Sequence, residues 1–122
     1  MKKDKRVFII EHERLIGLDL QTALEKNGYT VSRPLSLVDS EVFLSEDTPD
    51  LIIADSDIQR QDNFERVKKL FGRQQLPVIC IGTVTSEQMK ACDGINIIGT
   101  FSKPFDSKKI ARFVDNYFDS GQ

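Results

Sequence analysis

The sequence predicts an α/β fold in which five parallel strands form one sheet covered on both faces by helices. Two observations predict it. Short, wholly apolar, β-favouring runs recur along the chain, and such runs read as strands buried on both faces. Between them lie stretches whose apolar residues return at helical spacing, joined by short polar loops. Strands alternating with helices over short links leave a parallel sheet with crossover helices as the arrangement that buries every apolar face.

The first run, Val7-Phe8-Ile9-Ile10, ends abruptly in Glu11-His12-Glu13, as a buried parallel strand ends at its exposed carboxyl edge. From Arg14 onward, Ile16, Leu20, Ala23, Leu24 and Asn27 fall at helical spacing, and Asn27-Gly28 supplies the stop. Tyr29 to Val31 reads as a short strand and Leu37 to Leu44 as a helix. Leu51-Ile52-Ile53-Ala54 is a second fully buried strand, closed by Asp55. Phe64, Val67, Leu70 and Phe71 mark a helix face that ends at Gly72. Pro77 to Ile81 follows as a strand closed by Gly82-Thr83, and Ser86 to Cys92 as a short helix stopped by Asp93-Gly94. Ile95 to Phe101 gives the last strand, with Ser102-Lys103-Pro104 as its loop, and Ile110, Phe113, Val114 and Tyr117 mark a final amphipathic helix.

A length of 122 residues suits a single domain spanning 1–122, with no repeat or internal linker. No apolar run approaches the roughly 20 residues that cross a bilayer, and the basic start Met1 to Arg6 is followed only by Val7 to Ile10, too short for the core of an export signal. Neither a membrane protein nor an exported one is expected. Cys80 and Cys92 cannot make a disulfide framework, which points to a reducing, cytoplasmic setting. A net charge of −2 gives no reason to expect direct nucleic-acid binding.

In an open α/β sheet, ligands bind beyond the carboxyl ends of the strands, near the point where strand order reverses. That rim carries Glu11, His12, Asp55, Gly82, Thr83 and Lys103. A carboxylate that ends a buried run and can reach a lysine has the makings of a nucleophile toward phosphorus: it stays ionised, and the incoming charge meets a cation. Asp55 and Lys103 fill these two roles.

Over essentially its whole length the chain resembles the response-regulator receiver domains. Val7 to Glu13 looks like their first strand and acidic loop, Asp50 to Asp55 like the phosphoacceptor strand, and Phe101-Ser102-Lys103-Pro104-Phe105 like the lysine loop. The resemblance implies a flavodoxin-like doubly wound sheet with strand order 2-1-3-4-5 and five helices. It further implies Mg²⁺-dependent transfer of a phosphoryl group onto Asp55 from a histidine kinase or phosphotransfer protein, and a signal passed to an output domain or partner through the 86–118 face. On this pattern Glu11, Asp55 and Asp57 are the metal-side residues, Lys103 pairs with the acceptor and then the phosphoryl group, and Thr83 is the nearest hydroxyl. The Lys103-Pro104 peptide would be cis, as an X-Pro bond permits at a cost of about 0.5–1 kcal/mol.

Three positions depart from the pattern. His12 stands where a second acid is expected, Gly82 where a hydroxyl residue is expected, and Thr100 where a switch aromatic is expected, with Phe101 beside it. Imidazole is a poor ligand for Mg²⁺ beside a carboxylate. These departures sustain a second reading, a pseudo-receiver that works through protein contacts without phosphate. A third, a small phosphatase built on Asp55-Ser56-Asp57, needs that element on the first strand of a longer chain.

Overall fold

The computed structural model describes residues 5–34, 37–60 and 64–120, which leaves Met1 to Asp4 of the basic start outside the described residues. The chain alternates as expected: β1 (Arg6–Ile10), α1 (Arg14–Lys26), β2 (Thr30–Ser32), α2 (Leu37–Glu46), β3 (Leu51–Asp55), α3 (Phe64–Arg73), β4 (Pro77–Ile81), α4 (Ser86–Ala91), β5 (Asn96–Phe101) and α5 (Ser107–Asp119). All pairings are parallel, and the five strands lie in the order β2-β1-β3-β4-β5.

The apolar runs are continuous because each strand of the sheet's centre is covered twice. Side chains alternate across a strand, so Phe8, Ile10, Ile52, Ala54, Val78 and Cys80 face one way, onto Leu44, Phe64, Val67 and Phe71 of α2 and α3. Val7, Ile9, Leu51, Ile53, Ile79 and Ile81 face the other, onto Leu20 and Leu24 of α1 and Ile110, Ala111 and Val114 of α5. β3, flanked by β1 and β4, is buried along its whole length. That is why the acid at its end is itself buried.

Local chemistry fixes the element ends. Gly28 takes a positive φ of 96° just after α1, a conformation other residues adopt only with strain. Thr85 accepts a hydrogen bond from the Gln88 N–H while the Gln88 side chain accepts from the Thr85 N–H, a capping box that starts α4. Asp106 caps α5 by accepting from the Lys108 N–H at 2.9 Å. Across the α1 and α5 layer, the buried Tyr29 hydroxyl donates to Asp115 at 2.6 Å; burial, then the Asp115 charge, push this phenol well above its usual range. Both cysteines are free thiols, and burial pushes Cys80 up to about 11, so it stays a neutral packing group.

Three details differ from the sequence reading. β2 lies one residue later than Tyr29 to Val31, because Tyr29 turns its ring into the core at the strand's entrance. β5 begins at Asn96, and an irregularity opposite Val78/Ile79 shifts its register so that Ile97 pairs with Val78 but Gly99 with Ile79. Gly99 is bare for a reason, since a Cβ there would come within 2.8 Å of the Phe113 ring. The stretch Ser56–Arg60 after Asp55 forms a 3-10 turn that buries Ile58. The Lys103-Pro104 bond is cis. No helix among the described residues is long and apolar enough to cross a membrane.

Candidate functional site

Parallel pairing brings the carboxyl ends of β1, β3, β4 and β5 to one edge. Ile10 pairs with Ala54, Asp55 with Ile81 and Ile81 with Phe101, so Glu11, Asp55, Gly82 and the lysine loop step out of the sheet side by side. The Gly82 N–H still donates to the Phe101 carbonyl at 2.8 Å, which holds the Lys103 loop against β4.

Asp55, only 3% exposed, is the centre of the cluster. Its Oδ2 lies 2.9 Å from His12 Nδ1 and 3.5 Å from Lys103 Nζ. Its Oδ1 accepts the Asp57 backbone N–H at 3.2 Å. The Glu11 side chain is fully buried; its Oε1 accepts the Glu13 N–H at 3.0 Å and its Oε2 lies 3.0 Å from Lys103 Nζ. That last contact is an ion pair poorly directed for a hydrogen bond, so Oε2 is held by charge alone. Lys103 also reaches Glu13 at 3.6 Å.

The electrostatics follow from this crowding. Burial raises the Glu11 carboxyl above its usual range; the Glu13 N–H and Lys103 offset part of that, and the Asp55 charge adds to it. For Lys103, burial works against the charge, but the close contact with Glu11 and the charges of Glu11, Asp55 and Glu13 together raise it above an ordinary lysine. The ammonium therefore stays charged at neutral pH.

The structure brings Glu11, Asp55 and Lys103 together, as the sequence suggested. The Asp57 side chain is exposed, and what Asp57 gives the acceptor is its backbone N–H. Thr83 lies one residue past the strand end and is also exposed. Thr100 is exposed on β5, whereas Phe101 packs on the core, edge-to-face with Phe113 at 5.5 Å. The contact of His12 with Asp55 and the reach of Lys103 to Glu13 were beyond sequence reasoning; an acidic run at a strand end was the one available signal for the second.

Glu11, His12 and Asp55 each bring one ligand atom to within 4.8 Å of the others. Two carboxylates and an imidazole suit a divalent cation, but Mg²⁺, which favours oxygen, finds two of its preferred donors here and a third it takes poorly.

The family model for the response regulator receiver domain matches residues 7–115. The chain belongs to this family. Among solved structures, the receiver domain protein from Methanospirillum hungatei JF-1 superimposes with a TM-score of 0.81 at 17% identity, covering 95% of this chain and 94% of that one. The signal receiver domain of a modulated diguanylate cyclase from Desulfovibrio desulfuricans G20 gives 0.72 at 25% identity, with 91% and 90% covered. A curated relative, protein-glutamate methylesterase/protein-glutamine glutaminase 2 of Hahella chejuensis, is 26% identical over 84 residues, 67% of this receiver. The receiver spans only 23% of that relative's length.

Proposed function

We propose that this receiver takes a phosphoryl group onto Asp55 from a histidine kinase or phosphotransfer protein in the cytoplasm. The observation that carries the proposal is a buried carboxylate at a strand end, with one oxygen against two nitrogens and the other against a backbone N–H. Such a group is fixed in place, with a lysine ammonium beside it to meet incoming negative charge. Attack forms an O–P bond to Asp55 and breaks the P–N bond of a phosphohistidine donor, whose electron pair stays on the departing imidazole. Lys103 then moves its charge from carboxylate to phosphoryl oxygen, and the Asp57 N–H keeps the aspartyl group oriented.

Glu11 and Asp55 would hold Mg²⁺, with Asp57 as a further oxygen source, and the ion would supply charge neutralisation for the incoming phosphoryl group. His12 competes for that place, so the affinity is expected to be low.

Phosphorylation adds about −1.5 to −2 charges and three acceptor oxygens, which reorganise a neighbouring loop by drawing its hydrogen-bond donors toward the new group. The loop after Ile81 and α4 are the segments closest in sequence to the site on the 86–118 face, where Met89 and Thr100 are exposed. Loading with beryllofluoride, a phosphoryl mimic, is expected to change hydrogen exchange across residues 82–105. Unchanged protection despite bound mimic would favour the second reading, a receiver working through phosphate-independent protein contacts. That reading has its own support: His12 seated 2.9 Å from Asp55 caps the oxygen that a metal would use.

A further inference from the structure

A phosphoryl group on Asp55 would bring three acceptor oxygens that call for hydrogen-bond donors beside them, and Gly82, just past the end of β4, has no side chain to give one. Gly82 has a φ of 106°, a left-handed conformation that resists side chains. A Cβ built there would lie 2.8 Å from Ser56 Oγ and 3.4 Å from Asp55 Oδ1. The space next to the acceptor that a side chain at position 82 would enter is therefore filled by the Ser56 hydroxyl. One of the two positions can place a group there, and in this chain it is the one that follows the acceptor. Ser56 is half-buried at the start of the 3-10 turn, whose next residue, Asp57, donates its N–H to the same Asp55 oxygen. Thr83 is exposed beyond the strand end.

We infer that Ser56, not Thr83, donates the hydroxyl hydrogen bond to a phosphoryl group carried on Asp55, so that the glycine at position 82 and the serine at position 56 form a compensating pair. This rests on Asp55 being the acceptor. The hydroxyl donates, one phosphoryl oxygen accepts, and no bond is made or broken at Ser56.

The test is beryllofluoride binding to the full chain in Mg²⁺, measured by titration calorimetry for wild type, Ser56→Ala, Ser56→Thr and Thr83→Ala, with the melting temperature of each unliganded protein measured alongside. A hydrogen bond to a charged group lost from a built site corresponds to about a tenfold loss of affinity. Ser56→Ala is expected to show that loss with little change in melting temperature, Ser56→Thr to recover most of it, and Thr83→Ala to bind as wild type. Wild-type affinity in Ser56→Ala, or a loss confined to Thr83→Ala, would overturn the assignment while leaving Asp55 as acceptor. No binding by wild type would overturn both.

Discussion

Replacing His12 by Asp is expected to tighten Mg²⁺ binding by about tenfold or more, a change of at least roughly 1.4 kcal/mol. His12 Nδ1 lies 2.9 Å from Asp55 and 3.5 Å from Glu11, so a carboxylate there would complete an all-oxygen donor set for a hard cation. Two unit charges about 4 Å apart interact by about 4 kcal/mol at an effective dielectric of about 20. Part of that gain is offset because the metal-free variant crowds a third acid against Glu11 and Asp55. The same crowding lowers the melting temperature in chelator and makes it rise with Mg²⁺, since a ligand that binds only the folded state stabilises it by mass action. Calorimetric titration at matched ionic strength checks the first effect. Equal affinities would mean that the imidazole does not occupy the metal's place.

Lys103→Ala is expected to cost about 3 kcal/mol at neutral pH, a large share of the roughly 5–15 kcal/mol that holds a domain of this size folded. The Glu11 side chain is fully buried and Asp55 is 3% exposed, and Lys103 contacts both. Removing it leaves two buried carboxylates with the His12 imidazole as their remaining side-chain contact. The figure sits at the low end of the range for broken buried pairs because the ammonium is itself 24% exposed. The pH dependence has a definite sign. Glu11 is already raised above 4.5 in the fold, and losing the ammonium raises it further. A raised group contributes stability that is complete below its unfolded value and is lost as pH rises through the folded one. The wild-type lysine, raised above 10.5, contributes fully at neutral pH. The gap between variant and wild type is therefore widest near neutrality and closes as pH falls toward 4.5. Urea midpoints across that interval measure it, and a pH-independent gap would count against the ion cluster as its source.

The fold was legible where burial on both faces leaves its mark. Residues 7–10 of β1, residues 51–54 of β3 and all of β4 are apolar because helices cover both of their sides. The same logic placed Glu11 and Asp55 on the rim, since a buried strand turns polar only where it leaves the sheet. β2 and β5 were less sharp because they are edge strands: their residues are half-buried or exposed, the β5 register shifts opposite Val78/Ile79, and neither feature changes residue types in a way a period can detect. The site's finer geometry depends on side-chain direction, which spacing does not encode. Asp57 was read as a metal-side residue from its place two after Asp55, and nothing in that spacing announced that its N–H donates to Asp55 while its side chain is exposed. Ser56 was read only as the middle of an acidic motif, and its place beside Gly82 follows from the 3-10 turn and a positive φ that no local pattern announced.

The central claim is that Asp55 carries the phosphoryl group. Incubation with a small acyl-phosphate donor and Mg²⁺, followed by intact mass and peptide mapping, tests it most directly when wild type and Asp55→Asn are run in parallel. The expected result is the mass of one phosphoryl group added to wild type, on the peptide containing Asp55, in a form that hydroxylamine removes, and no addition to Asp55→Asn. Labelling that persists in Asp55→Asn, or that maps to His12, would contradict it.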